Sequence, residues 1–332
     1  MTEQLKKHGF NLCLLLAIGL AIAFPQPASI GGLLHAEFLT KVGVTLIFFL
    51  LGLSIPSAQL GKGYKPVRLH GFVLIWNYVG FPLVTGGLLL VLGQFIADDF
   101  RLGFWLLAIM PTTIASAVAF TDLAAGATSN AIFAAVLSNV LSVLIVPIVA
   151  MCLLSVQTGV TIELTPLLIK IFLLILLPLL VGQVFQKFTI RVATAIAPIR
   201  KPLSSAIILF IVHAAFAQSV ESNALSQYAL GDFMGISIFT VILLLLVNAL
   251  VWWSCRFFKY SRAQGIAAFY CASQKSLATG LPLAVMILAA TPTLGDSALL
   301  VIPMILYHPL QLVLAGIVNS QLGAKSNAAS MQ

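Results

Sequence analysis

The chain has 332 residues, 61% of them apolar and 8% charged, with mean hydropathy +1.10, a formal net charge of +8 and a pI near 9.5. A soluble domain carries roughly 25% charged residues, while a charge facing lipid costs ~2.5–3.5 kcal/mol. The missing charge excludes a water-soluble fold and points to an all-α polytopic membrane protein that crosses the bilayer about ten times.

In chain order, the apolar stretches expected to span cover roughly residues 11–30, 38–55, 69–95, 103–125, 130–154, 165–185, 203–219, 233–254, 264–289 and 297–318, each near the ~20 residues a crossing helix needs. They are too long for strands and lack the alternation of a membrane barrel. Helices satisfy their own backbone groups in lipid. We read residues 1–10 as a cytoplasmic N-terminal tail, about 11–318 as one transporter domain, and 319–332 as a short, polar, disordered cytoplasmic tail.

Charge placement orients the spans. One alternate set of loops and ends carries Lys6, Lys7, Lys62, Lys65, Arg68, Lys187, Arg191, Arg200, Lys201, Arg256, Lys259, Arg262 and Lys325. The opposite set has Arg101, with Lys41 and Lys170 at adjoining helix ends, and holds Glu37, Asp98, Asp99, Glu163, Glu221, Asp232 and Asp296. Positive residues concentrate on the cytoplasmic side, so both termini are expected there, in an inner (plasma) membrane. The basic pI then reflects loops beside anionic lipid, with no nucleic-acid partner. Lys6 and Lys7 ahead of Leu12–Phe24 imitate a signal peptide, but Gln26-Pro27-Ala28 forms a poor cleavage site and loss of this span would spoil the alternation. Cys13, Cys152, Cys255 and Cys271 lie singly and read as small packing residues, giving neither a disulfide nor a metal site.

No H-E-x-x-H, G-x-S-x-G or Walker-type loop occurs, which argues against an enzyme and an ATP-driven pump, and no cofactor is expected. Two spans are interrupted. The fourth contains Pro111, which cannot bond the carbonyl of Leu107, followed by Thr112, Thr113, Ser116 and Thr121. The ninth reads Ser273-Gln274-Lys275-Ser276, and Gly280 and Pro282 are expected to weaken its ladder just beyond that cluster. With alternating topology these spans run oppositely and are equivalents in a five-plus-five inverted repeat, about 11–154 and 165–318. Matched broken helices mark a midplane substrate or ion site.

Lys275 sits mid-span, too deep to snorkel, and is therefore a functional candidate. Unwinding beside Gln274 would put its amine at the negative end of the first half-helix; the plainer alternative is a structural lysine bonded to backbone carbonyls. Asp122, near the cytoplasmic end of the fourth span, Asn77 and His308 are accessory candidates. With His213, Asn139 and Asn248, they more often act as polar glue between helices.

The stretch from Pro111 through Thr121 and on to Pro147, together with Ser273–Ala278, resembles the bile acid:sodium symporter superfamily. Gly280-Leu281-Pro282 and Tyr307-His308-Pro309-Leu310-Gln311 resemble its bacterial symporter-like branch, which also holds human solute carrier family 10 member 7. The resemblance implies a panel (spans one, two, six and seven), a core (three to five, eight to ten), crossing broken helices, and sodium-coupled transport of amphipathic organic anions. It departs at the ion site. Sodium-binding members carry Ser-Asn where this chain has Ser116-Ala117, a Glu where it has Tyr270, and an Asn where it has Lys275. The expectation is that Lys275 replaces bound sodium and couples transport to protons. A non-transporting membrane regulator or scaffold with the same fold is the competing reading.

Overall fold

A computed structural model describes residues 2–29, 31–54, 63–158, 169, 172–188, 196–290 and 296–330. Among these every regular element is helical. The helices are α1 Thr2–Ala23, α2 Ala36–Ser54, α3 Val67–Ile75, α4 Phe81–Leu92, α5 Asp98–Ile109, α6 Ala115–Leu123, α7 Thr128–Thr158, α8 Leu177–Phe188, α9 Ala197–Glu221, α10 Leu230–Phe257, α11 Arg262–Ser273, α12 Leu277–Ala290 and α13 Ser297–Ser330. Wide π-type turns at Trp76–Gly80 and Phe172–Leu176 lead into α4 and α8.

Seven helical segments, including Val67–Phe95 and Arg262–Ala289, are long and apolar enough to cross a membrane, and Gly9–Ala23 and Phe172–Gln186 are shorter apolar helices. The expected fourth stretch is divided between α5 and α6, and neither half alone is that long. Large apolar side chains point outward along the helices, Leu90 at 90% exposure among them. Such a surface suits hydrocarbon and would be an aggregation hazard in water.

Two expectations at the ends are corrected. The first stretch does not run to residue 30: α1 stops at Ala23, because Pro25 and Pro27 supply no N–H to continue it. The backbone after Val318 is not irregular, since α13 continues to Ser330; Ala324, Lys325, Ala328 and Ala329 favour a helix and no proline follows Pro309 there. Lys62, Glu163, Lys170 and Arg191, used above to orient the loops, lie outside the described residues, as do residues 165–168 of the sixth stretch and the side chains of Lys6, Lys7, Lys187 and Lys325.

Backbone contacts divide the chain into two units. The first is Met1–Ile55, Met151–Phe233 and Leu281–Ile302; the second is Pro56–Ala150, Met234–Gly280 and Pro303–Gln332. The ninth and tenth stretches thus contribute to both. Within the first unit, α2 and α8 approach backbone to backbone. A Cβ on Gly52 would strike the carbonyl of Leu179, and one on Gly182 the carbonyl of Phe49, so only glycine permits the contact. Nearby, Arg200 donates to the carbonyl of Leu53 at 3.0 Å. Replacing Gly182 with valine forces the helices apart at a cost of about 1–3 kcal/mol. The expected result is a melting temperature several degrees lower in detergent; an unchanged melting curve would contradict it.

In the second unit Phe104 packs on Phe239 with ring centroids 4.3 Å apart, and Trp105 lies where a Cβ on Gly86 would be. Helix α11 is enclosed: Ile266 through Ser273 are all buried. A helix buried on every side carries no amphipathic stripe, and this one holds the polar cluster.

Candidate functional site: a lysine held between two helix breaks

The first break is local in origin. Pro111 has no N–H for the carbonyl of Leu107, which instead accepts from Met110 at 3.3 Å. Met110 turns extended, with φ −68° and ψ 152°. Residues 110–114 are then non-helical until α6 begins at Ala115.

The second break is made from outside. Helix α11 ends at Ser273 and Gln274 is extended, with φ −97° and ψ 148°, though no proline or glycine lies within these residues. Gln311 on α13 takes over the main chain: the Lys275 N–H donates to its Oε1 at 2.8 Å, and its Nε2 donates to the Lys275 carbonyl at 2.7 Å. The Tyr307 hydroxyl donates to the carbonyl of Ser273 at 3.2 Å. Ser276 restarts the helix, accepting the Thr279 N–H on its Oγ at 3.1 Å in the manner of an N-cap. The interruption therefore precedes Gly280 and Pro282, which lie inside α12. The expected weakening at those two residues is corrected, because the cap and the Gln311 clamp act earlier.

The breaks bond to each other through the Ser276 N–H and the Pro111 carbonyl, 2.8 Å apart. Asn139 on α7 ties them further. Its Nδ2 donates to the carbonyl of Thr112 at 2.7 Å, and its Oδ1 accepts from the Thr279 hydroxyl at 2.7 Å.

Lys275 is 2% exposed. Its Nζ donates to the carbonyls of Asn77, Ala108 and Met110 at 2.9, 2.7 and 2.8 Å. It also lies 4.2 Å from the centroid of the Phe81 ring, a cation–π contact of about 2 kcal/mol when desolvated. Among the described residues no carboxylate pairs with it.

Two prolines expose these acceptors. In the wide turn the Phe81 N–H goes to Trp76, while the next residue, Pro82, has no N–H to give, so the Asn77 carbonyl is left for the amine. Helix α5 ends before Thr112 can serve Ala108; the Thr112 N–H goes to Ser138 Oγ at 3.4 Å. All three donor positions of an ammonium are filled.

Around this cage, Ser116 donates to Gln274 Oε1 at 2.7 Å. Gln274 Nε2, Thr112 Oγ1 and Asn77 Oδ1 are buried without a partner among the described residues. Asn77 Nδ2 reaches Ser138 Oγ at 3.4 Å and the carbonyl of Cys271 at 3.3 Å. His308 Nδ1 lies 3.0 Å from Gln311 Nε2, and Thr113 is buried at the first break.

Two candidates stand apart. Thr121 bonds back to the carbonyl of Ala117 at 2.7 Å, and Asp122 is exposed, accepting from Thr128 at 3.0 Å. Gln311, Tyr307, Asn139, Ser138 and Phe81 belong to the site without having been singled out; a glutamine and asparagines inside apolar runs were the available signal.

The profile of the SBF-like CPA transporter family matches residues 8–324. The chain belongs to that family. It is a membrane transporter within the bile acid:sodium symporter superfamily, as the Pro111 and Ser273–Ala278 motifs had indicated. The transporter is 28% identical to sodium/bile acid cotransporter 7 of Danio rerio, over 96% of this chain and 94% of that one. It is 25% identical to the Mus musculus protein of the same name, over 96% and 93%. YfeH of Escherichia coli, whose name assigns it provisionally to the symporters, is 28% identical over 93% and 90%.

The sodium in the relatives' names raises the question of fit. In this transporter the carbonyls at the crossing are taken by an ammonium group, and among the described residues no Asp or Glu side chain joins the cluster. A sodium ion beside Lys275 would meet a like charge in a low-dielectric interior. The residues present do not suit it.

Proposed function

We propose that this transporter carries an amphipathic organic anion, bile acid-like or steroid-like, by secondary active transport with alternating access. Ten spans form two inverted repeats of five, with both termini in the cytoplasm of a cell whose inner (plasma) membrane holds the protein. Lys275 stands in for a co-transported sodium ion, and protons are the coupling ion.

The observation that carries this reading is the ammonium of Lys275 among three main-chain carbonyls where two broken helices cross. Helices α6 and α12 both begin at that crossing, and helix N-termini attract anions. The unpartnered Gln274 Nε2 adds a donor of the kind that an anionic group would accept from. The substrate names carried by the vertebrate relatives support the class of ligand.

Purified protein in proteoliposomes, with sodium and proton gradients imposed separately, tests the reading. Uptake of a bile acid probe should follow the proton gradient and persist without sodium. Strict sodium dependence that survives Lys275→Ala would overturn it, and stable binding without flux would favour the regulator or scaffold. Gln274→Ala removes both the acceptor for Ser116 and the unpartnered donor. We expect the thermal stabilisation produced by the same probe to be lost in that variant while its unliganded melting temperature changes little.

A further inference from the structure

A second site lies in the second unit, away from Lys275 and independent of the transport reading. Leu245, Asn248, Trp252 and Arg256 follow one another at helical spacing on a single face of α10, and Leu314, Val318 and Leu322 do so on α13. Together they wall an open groove of about 320 Å³, with buried Phe269 of α11 beneath and its ring 5.4 Å from Trp252. From Leu245 to Arg256 the helix rises about 16 Å. Half the hydrocarbon thickness of a bilayer is about 15 Å. The groove thus has the length of one leaflet.

Its ends differ. The inner end is apolar at Leu245 and Leu314, while the outer end carries the exposed guanidinium of Arg256, 5.4 Å over the Trp252 ring. Among the described residues no acidic group pairs with Arg256. Exposed Trp253 and Phe257 flank it at the same helix end, as an interfacial aromatic belt does. Lys259 and Arg262 follow, and Arg262 Nη2 donates to the carbonyl of Leu322 at 3.1 Å, fixing α13 beside the groove mouth. An apolar channel one leaflet deep, opening at a cation at the interface, complements a negatively charged head on a hydrocarbon chain.

The geometry points to a binding site for an anionic phospholipid of the leaflet on the basic-loop side, one acyl chain lying between α10 and α13 and the phosphate at Arg256. The full chain with Trp76, Trp105 and Trp253 replaced by phenylalanine leaves Trp252 as the reporter. It is reconstituted into phosphatidylcholine vesicles containing equal mole fractions of dibrominated phosphatidylglycerol or dibrominated phosphatidylcholine. Bromine on the acyl chains should quench Trp252 with an apparent affinity about fivefold higher for phosphatidylglycerol. Arg256→Gln should abolish that preference and Lys259→Gln should leave it in place.

Equal quenching by the two lipids, a preference intact in Arg256→Gln, or one reduced equally by Lys259→Gln would each overturn the site. Native mass spectrometry of the protein with all four tryptophans offers a second reading. Retained phosphatidylglycerol should exceed phosphatidylcholine, and Arg256→Gln should remove the excess.

Discussion

Lys275→Ala should abolish transport and lower the melting temperature by roughly 5–10 °C. The amine satisfies three buried carbonyls, from Asn77, Ala108 and Met110, and an orphaned buried acceptor costs about 1–3 kcal/mol. Pro82 and Pro111 deny these carbonyls the usual helical partners, so local relaxation cannot re-pair them. Lys275→Met, which keeps most of the side-chain volume, should be as inactive as alanine, because the loss is one of charge and donors. Lys275→Arg should not restore activity, since a planar guanidinium cannot present a compact three-donor head. The alanine variant leaves a cavity lined by carbonyl oxygens, so added ammonium or methylammonium should recover part of the thermal stability. Flux in proteoliposomes and thermal melting with and without these cations are the measurements. A fully active, fully stable Lys275→Ala protein would refute the role of the amine.

Gln311→Leu should have the next largest effect. One side chain holds both main-chain groups of Lys275, and leucine of similar size leaves an N–H and a C=O buried and unpaired. Two such groups cost several kcal/mol, and α11 can recover part of that by extending through Gln274 and Lys275. We expect at least a tenfold loss of flux with a lower melting temperature, because such an extension withdraws Lys275 from its three carbonyls. Gln311→Glu keeps the acceptor for the Lys275 N–H but cannot donate to its carbonyl, so it should fall between the native protein and leucine. Wild-type flux in Gln311→Leu would show that the break is maintained without the clamp.

The two breaks differ in how legible they were. Pro111 interrupts its helix by lacking a donor, a property of one residue acting on its own backbone, so the sequence reading placed that break correctly. The second was expected to weaken at Gly280 and Pro282 and instead occurs at Gln274–Ser276. Its cause is a residue 36 positions away, and no local propensity contains that information. Likewise Asp122, suggestive as an acid near a broken helix, is exposed and capped by Thr128. Asn139 looked like ordinary polar glue, yet it bonds to both breaks.

The sequence by itself determined that this protein is helical and belongs in a membrane, because the cost of charge and of unpaired backbone in hydrocarbon is set by composition and run length alone. It also singled out Lys275, since a mid-span ammonium needs partners wherever it sits. Which partners it has was decided only by the tertiary structure. Three carbonyls from two distant segments, freed by two prolines and held in register by Gln311 and Asn139, come together only when the helices pack. An apolar face reports that it will be buried, and says nothing of what buries it.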